Sequence, residues 1–175
     1  MHIVNLSFDK GIFPSVLKDS LVVPIYKSGD YDNPNNYRPI TINSSLSKII
    51  ERIVFIRLTK FLEKYSKLNN NQYGFVRDKG TKDALKAILD ITQKAIDSGD
   101  YAIILTIDLA KAFDTLNHKI LLNKLNNRGV RGHVNQWFES FITNRYISVK
   151  MNGKISNKYL IKMVFHKVQF IDLCY

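Results

Sequence analysis

Residues 101–107, Tyr-Ala-Ile-Ile-Leu-Thr-Ile, constrain the fold more than any other stretch of this chain. The run is apolar at consecutive positions, rich in β-forming residues, and bounded by Gly99-Asp100 on one side and Asp108 on the other. A strand open to water on one face alternates apolar and polar side chains, so an unbroken run calls for cover on both faces. It predicts a strand at the centre of a sheet, with other elements packed above and below. No apolar stretch approaches the ~20 residues needed to span a bilayer.

The rest of the chain supplies those other elements. Leu21 to Tyr26 and Tyr37 to Ile42 read as two short strands around a tip rich in Gly, Asp, Asn and Pro, which together make a hairpin. From Ser45 to Lys64, Leu46, Ile49, Ile50, Ile53, Val54, Phe61 and Leu62 recur at helical spacing, and Ser45 or Ser47 can cap the helix. A second helix is predicted from Thr81, its cap, to about Ser98, with Ala84, Leu85, Ile88, Leu89, Ile91 and Ala95 facing inward. Further helices are expected over "HKILLNKLNNRG", stopping at Gly129, and over "VNQWFESFITN", with Trp137, Phe138 and Phe141 buried. The segment "YISVKMNGKISNKYLI" alternates across Asn152-Gly153, a strong signal for a tight β-hairpin. The class is α+β, and 175 residues with 45% hydrophobic content suit one domain.

Charge bounds the partners. With 26 Lys+Arg against 15 Asp+Glu the formal charge is +11, which favours a polyanion, although a bias toward lysine codons would raise it without selecting a partner. The single cysteine, Cys174, excludes an internal disulfide and a cysteine-based zinc site. No secretory signal opens the sequence, so a soluble intracellular protein, in cytoplasm or nucleus and without membrane contact, is expected.

Two carboxylates stand out. Asp108 closes the apolar run, where it is either a solvated strand end or an oxygen ligand for a hard cation such as Mg²⁺. Asp114 reads as the cap of the next helix. Lys27 and Arg38 sit on the two arms of the first hairpin, as ordinary surface charges or as a pair of cations presented to one phosphate chain. The histidines show no metal-ligand pairing, and "KSGD" lacks the spacing of a P-loop.

In order and spacing, "VVPIYKSGDYDNPNNYRPITI", "KIIERIVFIRL", "QYGFVRDKGTKDAL", "ILTIDLAKAFDTLNH" and the "NGKIS" hairpin resemble the fingers and early palm of reverse transcriptases from non-LTR (LINE-type) retrotransposons. The resemblance covers nearly the whole chain. It implies a partial right-hand polymerase fold, with fingers and an incomplete palm, in which an antiparallel sheet packs on helices. The activity implied is RNA-directed DNA polymerisation, extending a DNA primer on an RNA template with deoxynucleoside triphosphates and two Mg²⁺ ions. Asp108 and the main-chain carbonyl of Leu109 would bind metal, and Phe113 would lie under the incoming sugar and exclude a ribose 2′-hydroxyl. Lys27 and Arg38 would grip the triphosphate, and Gln72, Tyr73, Gly74 and Phe75 would lie on the template side.

The chain departs from the family pattern at Val76 and Gly80, where Arg and Ser are usual, and it lacks both the Gly-Val-Pro-Gln-Gly-Ser motif and the later Asp-Asp pair. In "MVFHKVQFIDLCY", joining the last base of each codon to the first two of the next forces glycine at Met163-Val164. The subsequent junctions permit Val, Pro, Gln, Gly, Ser and Ile in order. Residues 1–162 are therefore expected to be a partial reverse transcriptase domain and 163–175 an out-of-frame tail. The chain by itself is expected to be inactive; the alternative is a non-catalytic basic nucleic-acid-binding remnant or an unstable pseudogene product.

Overall fold

The computed structural model describes residues 2–65, 67–108 and 117–161. Strands β1 (Asp19–Tyr26) and β2 (Tyr37–Asn43) form the predicted first hairpin, in register from Ser20 opposite Asn43 to Tyr26 opposite Tyr37. Pro24 faces Pro39 in this ladder. Neither has an N–H, so they can oppose each other without loss only at a pair that exchanges no backbone hydrogen bonds. The bond from Lys27 N–H to the Asn36 carbonyl, 2.8 Å, sets that phase, because bonded and non-bonded pairs alternate.

Strand β3 (Arg145–Met151) pairs with β1 in parallel and with β4 (Lys154–Ile155) and β5 (Tyr159–Ile161) antiparallel. Asn152 and Gly153 both have positive φ, 49° and 77°, the turn that the Asn-Gly dipeptide predicts. Between β4 and β5 the return strand is bridged by Ser156, whose N–H donates to the Val149 carbonyl and whose hydroxyl accepts from Val149 N–H, both at 2.9 Å. The expected antiparallel sheet is thus a mixed one, ordered β2-β1-β3-β4 with β5 also on β3. The chain passes from β1 through β2 and then a long helical stretch before it reaches β3, which gives it the length to lay β3 beside β1 in the same direction.

Helices α1 (His2–Asp9), α2 (Ser45–Lys64), α3 (Thr81–Asp97), α4 (His118–Asn127) and α5 (His133–Ile142) complete the fold. On α2, Ile50, Val54, Leu58 and Leu62 recur every four residues and are buried, against Leu121 and Leu125 of α4 and the aromatic face of α5. Trp137 is central: it stacks on Phe141 at 5.4 Å between ring centroids and meets Phe13 edge-on at 5.6 Å. Its indole N–H donates to Ser7 Oγ at 2.9 Å, which ties α1 to α5. Each fully buried aromatic of this group contributes about 2–3 kcal/mol. Among the described residues no helix is long and apolar enough to cross a membrane.

Two local expectations are corrected. The cap of α2 is Ser44, while Ser47 is buried and donates to Glu51 Oε1 at 2.9 Å. Gly80 rather than Thr81 caps α3, its N–H donating to Asp83 Oδ2 at 2.7 Å. Asn117 caps α4, its Oδ1 accepting from Lys119 N–H at 2.9 Å, and Asp114 lies outside the described residues.

The larger correction concerns burial. No residue of α3 is buried: Leu85 and Leu89 are each 58% exposed on the face expected to point inward. Residues 101–108 carry no regular secondary structure, and Ile103 is 94% exposed. The predicted central strand needs a ladder partner, and the sheet formed by the described residues gives it none.

Candidate functional site

The tip of the β1–β2 hairpin is braced by tyrosines. Tyr26 stacks on Tyr31 at 4.1 Å and meets Tyr37 at 5.7 Å. The Tyr26 hydroxyl donates to the Gly29 carbonyl at 2.6 Å, and that of Tyr37 to the Tyr31 carbonyl at 2.9 Å. Asn36 Nδ2 donates to the Asp30 carbonyl at 2.8 Å, closing the loop from the other side.

This platform holds two cations on one face. Arg38 is opposite Ile25, and Lys27 lies two residues beyond Ile25, so the three side chains project from the same side of the sheet. Diagonal neighbours of this kind lie about 7–8 Å apart, a span that a phosphate chain can bridge. Both are exposed, and they share their face with the half-exposed Ile25 and Ile40.

Gln72 to Phe75 lie on a separate loop between α2 and α3. Lys79 organises it, its ammonium donating to the carbonyls of Asn70 at 2.6 Å and Gln72 at 3.4 Å while lying 5.2 Å from the Tyr73 ring centroid. Phe75 has φ 58°, a conformation rare for an aromatic residue.

Asp108 is exposed at the end of the apolar run. Its carboxylate is a suitable oxygen donor for a hard divalent cation, which takes about six oxygen ligands. Among the described residues, however, no group of three or more His, Cys, Asp or Glu side chains could hold a metal ion. The described donors therefore do not fit a complete metal site. Leu109 and Phe113 lie outside the described residues.

A second set of ionisable groups escaped sequence reading. Arg145 and Lys18 are buried, and Glu51 is largely so. Burial lowers the Lys18 pKa, helped by the Arg145 charge, and burial raises that of Glu51 against the pull of the Ser47 hydroxyl and Arg145. The signal was present: Arg145 shares strand parity with the partly buried Ile147 and Val149, which puts a charge on an inward-facing position.

Residues 25–165 match the reverse transcriptase (RNA-dependent DNA polymerase) family. The chain belongs to that family. Every residue assigned to the triphosphate, the template side or the metal lies inside the matched span. The chain is 29% identical over 152 residues to the RNA-directed DNA polymerase from mobile element jockey of Drosophila melanogaster, covering 86% of this chain and 16% of that protein. It is 33% identical over 131 residues to the Pol polyprotein from type-1 retrotransposable element R2 of Popillia japonica, covering 74% and 18%. A probable RNA-directed DNA polymerase from transposon BS of Drosophila melanogaster is 32% identical over 114 residues, covering 65% and 13%. The chain therefore spans less than a fifth of the length of these curated relatives, of which the jockey and R2 proteins come from LINE-type non-LTR retrotransposons. Reverse transcriptases generally use divalent metal ions.

Proposed function

We propose that residues 1–162 supply the fingers and the first part of the palm of a right-hand RNA-directed DNA polymerase, which extends a DNA primer on an RNA template with deoxynucleoside triphosphates. The observation that carries this reading is the pairing of Lys27 and Arg38 on one exposed face of a braced hairpin, within the span matched to the family. A guanidinium can fork onto two phosphate oxygens while the ammonium acts as a mobile point charge, so the two divide the recognition of a triphosphate. Gln72 to Phe75 serve the template side, and Phe113 selects against a ribose 2′-hydroxyl. Asp108 and the Leu109 carbonyl would be two of the groups that hold Mg²⁺, an ion that would supply activation of the primer hydroxyl and charge neutralisation of the pyrophosphate.

Residues 163–175 are read as an out-of-frame tail. The 175 residues contain no Asp-Asp pair, and one carboxylate does not balance two divalent ions, so the chain by itself is inactive. Primer extension with purified chain, Mg²⁺ and deoxynucleotides tests this: no incorporation is expected, and Mg²⁺-dependent incorporation abolished by Asp108→Ala would refute it. The polymerase reading has its own test, binding of a fluorescent deoxynucleoside triphosphate, which should weaken at least tenfold in Lys27→Ala/Arg38→Ala; an unchanged affinity would remove its main support. The +11 charge favours a second reading, a non-catalytic binder of nucleic acid, which predicts binding with a steep salt dependence and no triphosphate affinity.

A further inference from the structure

A concave pocket of about 330 Å³ opens between α1, α2, α5 and the turn that joins α4 to α5. Val54, Leu58, Val130, Trp137 and Phe138 line it and are all buried. Phe8 and Phe61, both half-buried, contribute aromatic walls. Gly129, at φ 97°, belongs beside Phe61 for a steric reason, since a Cβ there would lie 3.3 Å from the Phe61 ring. Val134 is 56% exposed and marks the mouth. A cleft lined in this way takes up apolar matter and shields it from water.

Charge gives the pocket a sign. Of the eleven residues that line it, the charged ones are Arg57 and Arg131, both exposed. They come from different elements, Arg57 from α2 and Arg131 from the α4–α5 turn. The Arg57 guanidinium lies over the Phe8 ring at 5.3 Å, and Arg131 donates from Nε to the Asn126 carbonyl at 3.3 Å. Among the described residues neither arginine meets a carboxylate. The Arg57 fork and the Nη atoms of Arg131 are therefore open to an oxyanion, which a guanidinium grips with two parallel hydrogen bonds.

From this juxtaposition we infer that the pocket binds a small amphiphilic acid, a single apolar chain or ring ending in one carboxylate. The apolar part lies against Trp137, and the carboxylate is held by Arg57 and Arg131. The volume is at the low end of the small-ligand range, about 300–1,000 Å³, which admits one such molecule and not a peptide helix. A neutral ligand would leave both guanidiniums unused and a cation would be repelled, so charge complementarity selects the acid. None of the residues placed at the triphosphate, the template side or the metal takes part, and the site is independent of the polymerase reading.

Trp137 is the chain's only tryptophan, so its fluorescence reads this pocket and not the apolar surface exposed elsewhere. The test is titration of the full chain with octanoate, octanol and octylammonium, each below its micelle concentration. Octanoate should shift Trp137 emission saturably and bind about tenfold more tightly than octanol, the margin that a charge-assisted pair supplies, with octylammonium weakest. Arg57→Gln/Arg131→Gln should bring octanoate down to the level of octanol, and an octanol affinity retained in that variant shows the pocket intact. Lys150→Gln/Lys154→Gln, which removes the same charge from the β3–β4 turn, should leave octanoate binding unchanged. Val134→Phe narrows the mouth and should weaken octanoate and octanol alike. Octanol binding as tightly as octanoate, or equal effects of the two double variants, would overturn the proposal. So would a Trp137 shift caused by anionic vesicles but not by octanoate, which would give the arginines to a membrane surface, or one caused by protein concentration alone, which would give the pocket to a second copy.

Discussion

The guanidinium of Arg145 lies over the ring of Phe141 at 4.8 Å and donates from Nη1 to the Phe141 carbonyl at 3.0 Å. Arg145 opens β3 and Phe141 stands in the last turn of α5, so one side chain fastens helix to sheet and places positive charge at the helix C-terminus. Phe13 covers the guanidinium at 5.8 Å, and among the described residues Nε and Nη2 have no hydrogen-bond partner. Truncation to Ala empties the space and leaves Glu51 without this counter-charge, which should cost about 3–5 kcal/mol. Arg145→Met keeps most of the packing and should cost less than half as much. Urea denaturation of both variants decides: equal losses would mean that the charge, not the packing, holds the junction.

Glu51 gives a prediction in pH. Burial raises its pKa above the ordinary 4.5, with Arg145 and Lys48 and the side chains of Ser47 and Asn43 pulling the other way. The folded state thus holds a proton that the unfolded chain has released. That contribution is complete below pH 4.5 and is lost as pH rises through the folded-state pKa. The stability of wild type minus that of Glu51→Gln should therefore fall as pH is raised from about 4 through that window. A difference that stays flat or rises would show that the Arg145 charge outweighs burial.

Local spacing made much of this fold legible. The limits expected for α2, Ser45 to Lys64, are those observed, because its buried stripe is written into three- and four-residue intervals; the Asn152-Gly153 hairpin is similarly self-specified. Leu46 and Ile49 show the limit of that reading, since both belong to the apolar pattern and are more than half exposed. The same holds for the inward face expected of α3. Periodicity says which side chains share a face, and a distant segment decides whether anything covers it. The parallel pairing of β1 with β3 was invisible for the same reason. At the candidate site, Lys27 and Arg38 were legible as a pair because hairpin register is set by the strands themselves.

At the hairpin tip, Gly29 has φ 98°, and a Cβ there would lie 2.5 Å from Asn36 Nδ2. That amide is the donor to the Asp30 carbonyl, so Gly29→Ala must both strain the backbone and displace the loop bond. A loss of about 1–2 kcal/mol is expected. Thermal melting measures the loss, and triphosphate affinity should drop in the same variant because Lys27 leaves the platform. A variant as stable as wild type would show that the tip has another accessible conformation.

Residues 101–107 should govern self-association. Ile103 and Leu105 are 94% and 82% exposed, and as alternate residues they share one side when the segment is extended. With the open face of α3 this makes an apolar surface of the kind that recruits other chains. Ile103→Lys/Leu105→Glu should reduce binding of a hydrophobic dye and the aggregated fraction in size-exclusion chromatography, while stability stays within about 0.5 kcal/mol, as for surface substitutions. A large drop in stability would mean that these side chains are buried in solution.

The nucleotide sequence should carry the clearest trace of the chain's origin. Met has one codon, ATG, and every Val codon begins GT, so the bases spanning Met163 and Val164 must read GGT, glycine, in the shifted frame. Each subsequent junction, through Gln169-Phe170, allows the residue that would continue a Val-Pro-Gln-Gly-Ser-Ile series, although only particular third bases produce it. A final G in the Val164 codon, a final C in those of Phe165 and His166, a final G in Lys167, a final T in Val168 and a final A in Gln169 would spell that series. Bases that break the series at several of these positions would exclude a frame change at Met163 and make 163–175 an authentic continuation. A protein that restores the series and its downstream residues in that frame should then bury part of 101–107, seen as slower amide exchange across the run. Unchanged exchange would separate the two questions, leaving the frame change as an account of the sequence but not of the uncovered apolar surface.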